Sequence, residues 1–219
     1  VLGTSLDLKS EIESTIDVFG LQNKFSNLTE LELNRLSPKI TNQEIALRKD
    51  FREETTFTID PIDAKDFDDA LSVNCLSNTK FLIGIHIADV SHYVQPDSAI
   101  DKDAFQRAFS VYFPGQVLPM LPEKLSNIIC SLRPNEDKLS FSVLLEYDAD
   151  KSNIKTVWIG KGIINSNVRF TYEEVEEIIL KKKGPFYKEI TVLNNIAGEF
   201  RLKRMNGGSI DFQRKEIAF

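Results

Sequence analysis

The segment Thr58-Ile59-Asp60-Pro61-Ile62-Asp63-Ala64-Lys65-Asp66-Phe67-Asp68-Asp69-Ala70 sets the strongest limit on how this chain can fold. Five aspartates fall within the ten positions from 60 to 69, and both flanks are rich in β-branched and aromatic residues. Carboxylates at that density repel one another, and burying any of them without a counter-charge is costly. They fit neither a core nor the middle of a ladder. The sequence therefore predicts two strands, with the acids on an irregular connection at the sheet's end, where side chains can converge around hard divalent cations. Magnesium and phosphate chemistry follow from that placement.

The rest of the chain supplies a sheet for such a connection. Thr55–Ile59, Ala70–Cys75 and Lys80–Ile87 read as strands, with Leu76-Ser77-Asn78-Thr79 as a turn, and strands resume at Leu139–Tyr147 and Lys155–Ile163. Before them the chain is polar and helix-forming. Ile12, Ile16 and Phe19 stand at helical spacing ahead of Gly20, a second helix is expected around Leu28–Leu36, and Thr41-Asn42-Gln43-Glu44 reads as a capping box opening a third. Ala99–Ala108 reads as a helix, and Pro114-Gly115 and Pro119-Met120-Leu121-Pro122 as rigid loop punctuation. Thr171-Tyr172-Glu173-Glu174 is another capping box, opening a helix to about Lys182, and a last helix spans Lys188–Arg204 before Gly207-Gly208. The expected fold class is α+β, a mostly antiparallel sheet with flanking helices, preceded by a helical linker.

Composition narrows the function classes. The chain has 219 residues, 42% apolar and 27% charged, enough for one large domain or one domain with a helical appendage. Cys75 and Cys130 make no disulfide framework and no zinc-ligand spacing, so a reducing, cytoplasmic setting is expected and zinc is not. No run of eighteen apolar residues suggests a membrane span, and the start lacks a leader pattern and an initiator methionine. A longer parent protein is expected. Net charge is −6, which taken alone argues against a nucleic-acid partner, but bound metal would reverse the field near the aspartates. The basic groups Lys181-Lys182-Lys183 and Arg201, Lys203 and Arg204 read first as solvated helix faces.

Three readings compete for the aspartates. A calcium loop starting at Asp66 would need an acid or amide and then glycine where Ala70 and Leu71 stand, so that reading fails. A solvated acidic turn does not account for Phe67 among the acids or for the apolar strands on both sides. A two-metal site does: in extended chain Asp66 and Asp68 point one way and Asp69 the other, while Asp60 approaches from the preceding strand. Asp63 sits where it can serve the turn's own backbone. His86, in mid-strand, is expected to be structural, and two-metal hydrolysis needs no base from His86 or His92.

Together with Ile83-Gly84-Ile85-His86-Ile87-Ala88-Asp89-Val90-Ser91-His92-Tyr93-Val94, Pro119-Met120-Leu121-Pro122-Glu123-Lys124-Leu125-Ser126 and Cys130-Ser131-Leu132-Arg133-Pro134, the aspartate segment resembles the ribonuclease II / ribonuclease R (RNB-domain) family of exoribonucleases, and within it ribonuclease R. The resemblance runs from about residue 51 through 148 and more weakly to 219. It implies a magnesium-dependent, processive 3′-to-5′ hydrolytic exoribonuclease that releases nucleoside 5′-monophosphates from single-stranded RNA. Carried over by position, Asp60, Asp66, Asp68 and Asp69 match the family's magnesium aspartates, Tyr112 its stacking tyrosine and Phe212 an aromatic that closes a base clamp. Stacking suits an enzyme that must not read base edges, at about 1–3 kcal/mol per base. Cys130 and Arg133 are expected to shape the RNA channel, Arg133 by pairing with a phosphate or with a cluster carboxylate.

The family also uses a downstream glutamate and arginines in a Ser-Pro-Ile-Arg-Arg-like segment, which this sequence does not contain. The resemblance thus implies that residues 51–219 are the N-terminal part of the catalytic domain, inactive alone, and residues 1–50 a helical linker behind a cold-shock-type domain. It implies a monomeric parent with neither DNA nor membrane as partner. The alternative is a catalytically dead RNB fold that binds RNA or regulates.

Overall fold

The computed structural model describes residues 8–210, which form two compact units, residues 8–38 with 90–129 and residues 39–89 with 130–210. The first unit is built from α1 (Leu8–Val18), α2 (Asn27–Arg35), the short α4 (Val90–Tyr93), α5 (Ala99–Arg107) and a hairpin of β5 (Val111–Phe113) and β6 (Gln116–Leu118). Ile12 and Ile16 of α1 are buried against Leu118, with Leu21, Val111 and Phe113 around them, whereas Phe19 lies past the helix end and is exposed. Ser26 caps α2 by accepting from the Thr29 N–H at 3.2 Å, and Asp103 of α5 accepts from the Ser26 N–H at 2.7 Å. Glu32 of α2 in turn accepts from the first amides of α5, Ala99 at 2.7 Å and Ile100 at 3.2 Å, so the two helices satisfy each other's ends. Pro114-Gly115, expected as loop punctuation, is the turn of the β5–β6 hairpin, with Gly115 at a φ of +76° that favours glycine.

The second unit opens with α3 (Asn42–Ala46) and is a seven-stranded sheet in the order β1-β8-β7-β4-β3-β2-β9. Its strands are β1 (Lys49–Asp50), β2 (Thr56–Asp60), β3 (Asp69–Cys75), β4 (Lys80–Ala88), β7 (Asp137–Asp148), β8 (Asn153–Asn165) and β9 (Val168–Thr171). The central pairs are antiparallel, and only the outermost strands, β1 on β8 and β9 on β2, pair in parallel. The fold is α+β and mostly antiparallel, as the strand pattern predicts. A β3–β4 hairpin closes where expected, with the Leu76 and Ser77 amides donating to the Lys80 carbonyl at 2.9 and 3.1 Å.

One face of the sheet is apolar because alternate strand residues are. Phe57, Phe170, Ile178 and Ile190 form one core cluster, and Val73, Ile83, Tyr147 and Ile196 a second, both covered by residues of α7 (Tyr187–Asn206), with α6 (Tyr172–Lys181) over the first. The capping box read at Thr171 is present: Thr171 Oγ1 accepts from the Glu174 N–H at 3.1 Å, and Glu174 accepts from the Thr171 N–H at 2.8 Å. The other face carries buried polar groups. His86 lies between Ser72 (3.0 Å from Nε2) and Ser142 (2.9 Å from Nδ1), and Ser142 meets Ser140 at 2.9 Å. Glycine at position 84 makes room for them, since a Cβ there would overlap the Ser72 hydroxyl and meet His86 Nε2 at 2.6 Å. Nearby, Arg48 donates to Asp89 and Glu44, each at 2.7 Å, and to the Ser140 and Gly162 carbonyls, each at 3.2 Å.

Candidate acidic site

Asp60 is the last residue of β2 and Asp69 the first of β3, so the acids lie on the connection at one end of the sheet, where the sequence places them. In β2, Phe57 and Ile59 face the helix-covered core while Thr58 and Asp60 face the other way. Thr58 donates its hydroxyl to Asp60 at 2.6 Å and so fixes the carboxylate of a residue that is 7% exposed. The connection itself has little internal structure, one turn closed by the Ala64 amide on the Pro61 carbonyl at 3.1 Å. It is held from outside. The Phe67 amide donates to Ser131 Oγ at 2.9 Å, the Leu132 amide to the Phe67 carbonyl at 2.8 Å, and the Ala88 amide to the Asp68 carbonyl at 2.9 Å. The block from Cys130 to Pro134 therefore acts on the site through backbone and a serine hydroxyl, a role that its cysteine and arginine do not signal.

The electrostatics mark four aspartates as one group. Burial pushes the Asp60 carboxyl up, against the Thr58 hydrogen bond, with Asp69 and Asp66 adding repulsion and Arg169 offsetting it. Asp68, reachable by water but crowded by protein, is also pushed up, first by burial and then by Asp66, Asp69 and Asp60. Asp63 is not among the charges acting on either; it is exposed on the turn. The donors are carboxylate oxygens, as hard divalent cations take, and the raised carboxyls are short of positive charge, so the residue set fits magnesium in its chemistry. Among the described residues, however, no three acidic, histidine or cysteine side chains are grouped so as to hold an ion as they stand.

The other expected residues divide. Tyr112 is on β5, in the first unit, and is 75% exposed. Arg133 pairs with Glu136 at 3.5 Å rather than with a cluster carboxylate, and both side chains are nearly half exposed. Phe212 lies outside the described residues. His86 is fully buried between two serines, and burial holds its imidazole down at about 4, which suits the structural role expected of it. Burial likewise pushes the Cys130 thiol up to about 12, out of the range of a reactive thiolate. Arg169 of β9 is the residue that sequence reasoning missed: its guanidinium donates to the Pro61 carbonyl and lies 5.4 Å over the Phe67 ring. Thr58 was legible in principle, because a hydroxyl two residues before a strand-end aspartate shares its face.

The family described as RNB domain matches residues 48–219. Ribonuclease R of Aquifex aeolicus is 38% identical over 222 residues, an alignment spanning 99% of this chain and 31% of that protein. The structure of Mycoplasma genitalium RNase R in complex with ribose methylated single-stranded RNA superposes with a TM-score of 0.88 at 30% identity, over 99% of this chain and 34% of the other. Yeast Ssd1, described as a pseudonuclease, superposes with a TM-score of 0.77 at 23% identity over 94% of this chain and 26% of its own, a likeness of fold alone. The chain thus spans about a third of the length of the ribonuclease R relatives it matches. Among the described residues no helix is long and apolar enough to cross a membrane.

Proposed function

The chain belongs to the RNB-domain family, and from that premise we propose that the protein it forms part of is a processive, magnesium-dependent 3′-to-5′ exoribonuclease. It would hydrolyse single-stranded RNA to nucleoside 5′-monophosphates. What supports this reading is the family match together with four aspartates, Asp60, Asp66, Asp68 and Asp69, placed on the one connection from β2 to β3 at the end of the sheet. A likeness to a pseudonuclease warns that the fold does not guarantee chemistry, and all four carboxylates are present in this chain.

In this reading the four aspartates hold the ions, and what magnesium supplies when bound there is neutralising charge and Lewis acidity toward a phosphodiester. The chain's own groups do the placing. Thr58 aims Asp60, while Ser131 and Leu132 hold Phe67 and with it the acids on either side. Tyr112 would stack on a base, Phe212 on another, and the half-exposed guanidinium of Arg133 would meet a phosphate. Such contacts read no base edge, which suits degradation of any sequence. Residues 51–219 would be the N-terminal part of the catalytic domain and residues 1–50 a linker behind a cold-shock-type domain, consistent with the 31% of ribonuclease R that the chain spans. The free thiols Cys75 and Cys130 support a cytoplasmic, reducing setting.

The test uses the full-length protein with 5′-labelled single-stranded RNA, with magnesium and with chelator. Stepwise shortening from the 3′ end, mononucleotide 5′-phosphates as product and silence in chelator are expected, and Asp69→Asn should abolish cleavage while RNA still binds. Full activity of that variant would sink the assignment.

A further inference from the structure

Arg169 stands 108 residues from Pro61 in the chain and yet meets the acidic connection near both its ends. The strand pairing explains how. β9 runs parallel to β2 with Arg169 opposite Thr58 and Thr171 opposite Asp60. Val168 and Phe170 of β9 join Phe57 and Ile59 of β2 in the helix-covered core, so Arg169 leaves the sheet on the face that Thr58 and Asp60 share. From there one Nη2 donates to the carbonyl of Pro61, where the connection begins, and the guanidinium carbon lies 5.4 Å over the ring of Phe67, between Asp66 and Asp68. The same Pro61 carbonyl accepts from the Ala64 amide, so Arg169 supports the connection's only internal turn among the backbone bonds described. Its positive charge reaches Asp60.

We propose that Arg169 is a positioning residue of the acidic site: it clamps the connection at Pro61 and Phe67 so that Asp66, Asp68 and Asp69 are presented beside Asp60, and it offsets part of their repulsion when no ion is bound. This rests on the exoribonuclease reading, but the clamp can be tested apart from it.

The experiment uses the full-length protein as wild type, Arg169→Ala and Arg169→Lys. In chelator, hydrogen exchange at the Ala64 and Phe67 amides should quicken by roughly tenfold or more in Arg169→Ala, because both protecting bonds lie within the clamped stretch. Calorimetric titration with magnesium alone should show affinity lowered by about 10–100-fold, the usual effect of removing a group that orients metal-binding carboxylates. With RNA, kcat should fall while KM stays within about twofold, the split expected when presentation of the acids rather than RNA binding is lost. Arg169→Lys keeps the charge but not the fork, and should fall between. If Arg169→Ala does not fold, Arg169→Gln decides by the same measures. Unchanged amide exchange, or unchanged magnesium affinity, overturns the proposal. A wild-type protein that fails to degrade RNA would sink the exoribonuclease reading instead, and the exchange and titration results would still judge the clamp.

Discussion

Two polar arrangements in the seven-stranded sheet meet their charges in opposite ways. Around His86, Ser72 and Ser142 occupy both ring nitrogens, and nearby the buried Arg48 is bound by Asp89, Glu44 and two carbonyls. At the end of β2, four aspartates act on one another with Arg169 as the cation reaching Asp60. The first arrangement is closed, and its groups have what burial demands of them. The second is open, and it holds like charges together that a stable fold would separate. The difference lies in the partners: around His86 and Arg48 polar groups bind one another, while at the end of β2 the carboxylates chiefly repel, and Thr58 and Arg169 offset that only at Asp60.

The contrast can be broken most severely at the open end. Asp68→Asn in the full-length protein should lower RNA degradation by about a hundred- to a thousandfold, as loss of a group that positions transition-state charge does. The same change should leave metal-free stability unchanged or raise it by no more than about 1 kcal/mol, because a repulsion is removed from carboxylates that face water. Steady-state cleavage and urea unfolding in chelator measure the two, and a clear loss of stability would mean that Asp68 is structural. At the closed end the signs reverse. Asp89→Ala leaves the buried Arg48 guanidinium short of a partner and should cost about 3–5 kcal/mol, read as a drop in urea midpoint.

A further effect belongs to His86 and is visible only against pH. Its folded value, about 4, lies below the ordinary 6.5, so the folded state resists a proton that the unfolded chain accepts. Stability is therefore complete above pH 6.5 and lost as pH falls from there toward about 4, by up to about 3 kcal/mol. His86→Gln should flatten that part of the metal-free stability curve, and a slope that survives the substitution would assign it to another group.

Much of this could be read from the residues. β3, β4, β7 and β8 are seven to thirteen residues long and declare themselves by β-branched content, and α6 by its capping box. β1, β5, β6 and β9 are two to four residues long, too short for alternation to show, and a strand's pattern does not name its partner, so both parallel pairings were hidden. Phe19 had helical spacing but lies beyond the helix, where spacing no longer implies a face. The acids were legible because their density had no bland explanation, and Asp63 separated from them on turn chemistry alone. Tyr112, Phe212 and Arg133 came only through family resemblance. For Arg133 the Glu136 pairing came from packing, and Arg169 had no signal because its meaning depends on a strand register formed across 108 residues.

That separation has a consequence in time. On a ribosome adding about 5–20 residues each second, Pro61 precedes Arg169 by something on the order of 5–20 s. The five aspartates leave the ribosome that much earlier than the strand that clamps them, and until β9 follows nothing holds the acidic connection at Pro61 and Phe67 from that side. The cluster cannot take its final shape before β9 has been made, so the acids and the cation that braces them meet only late in synthesis.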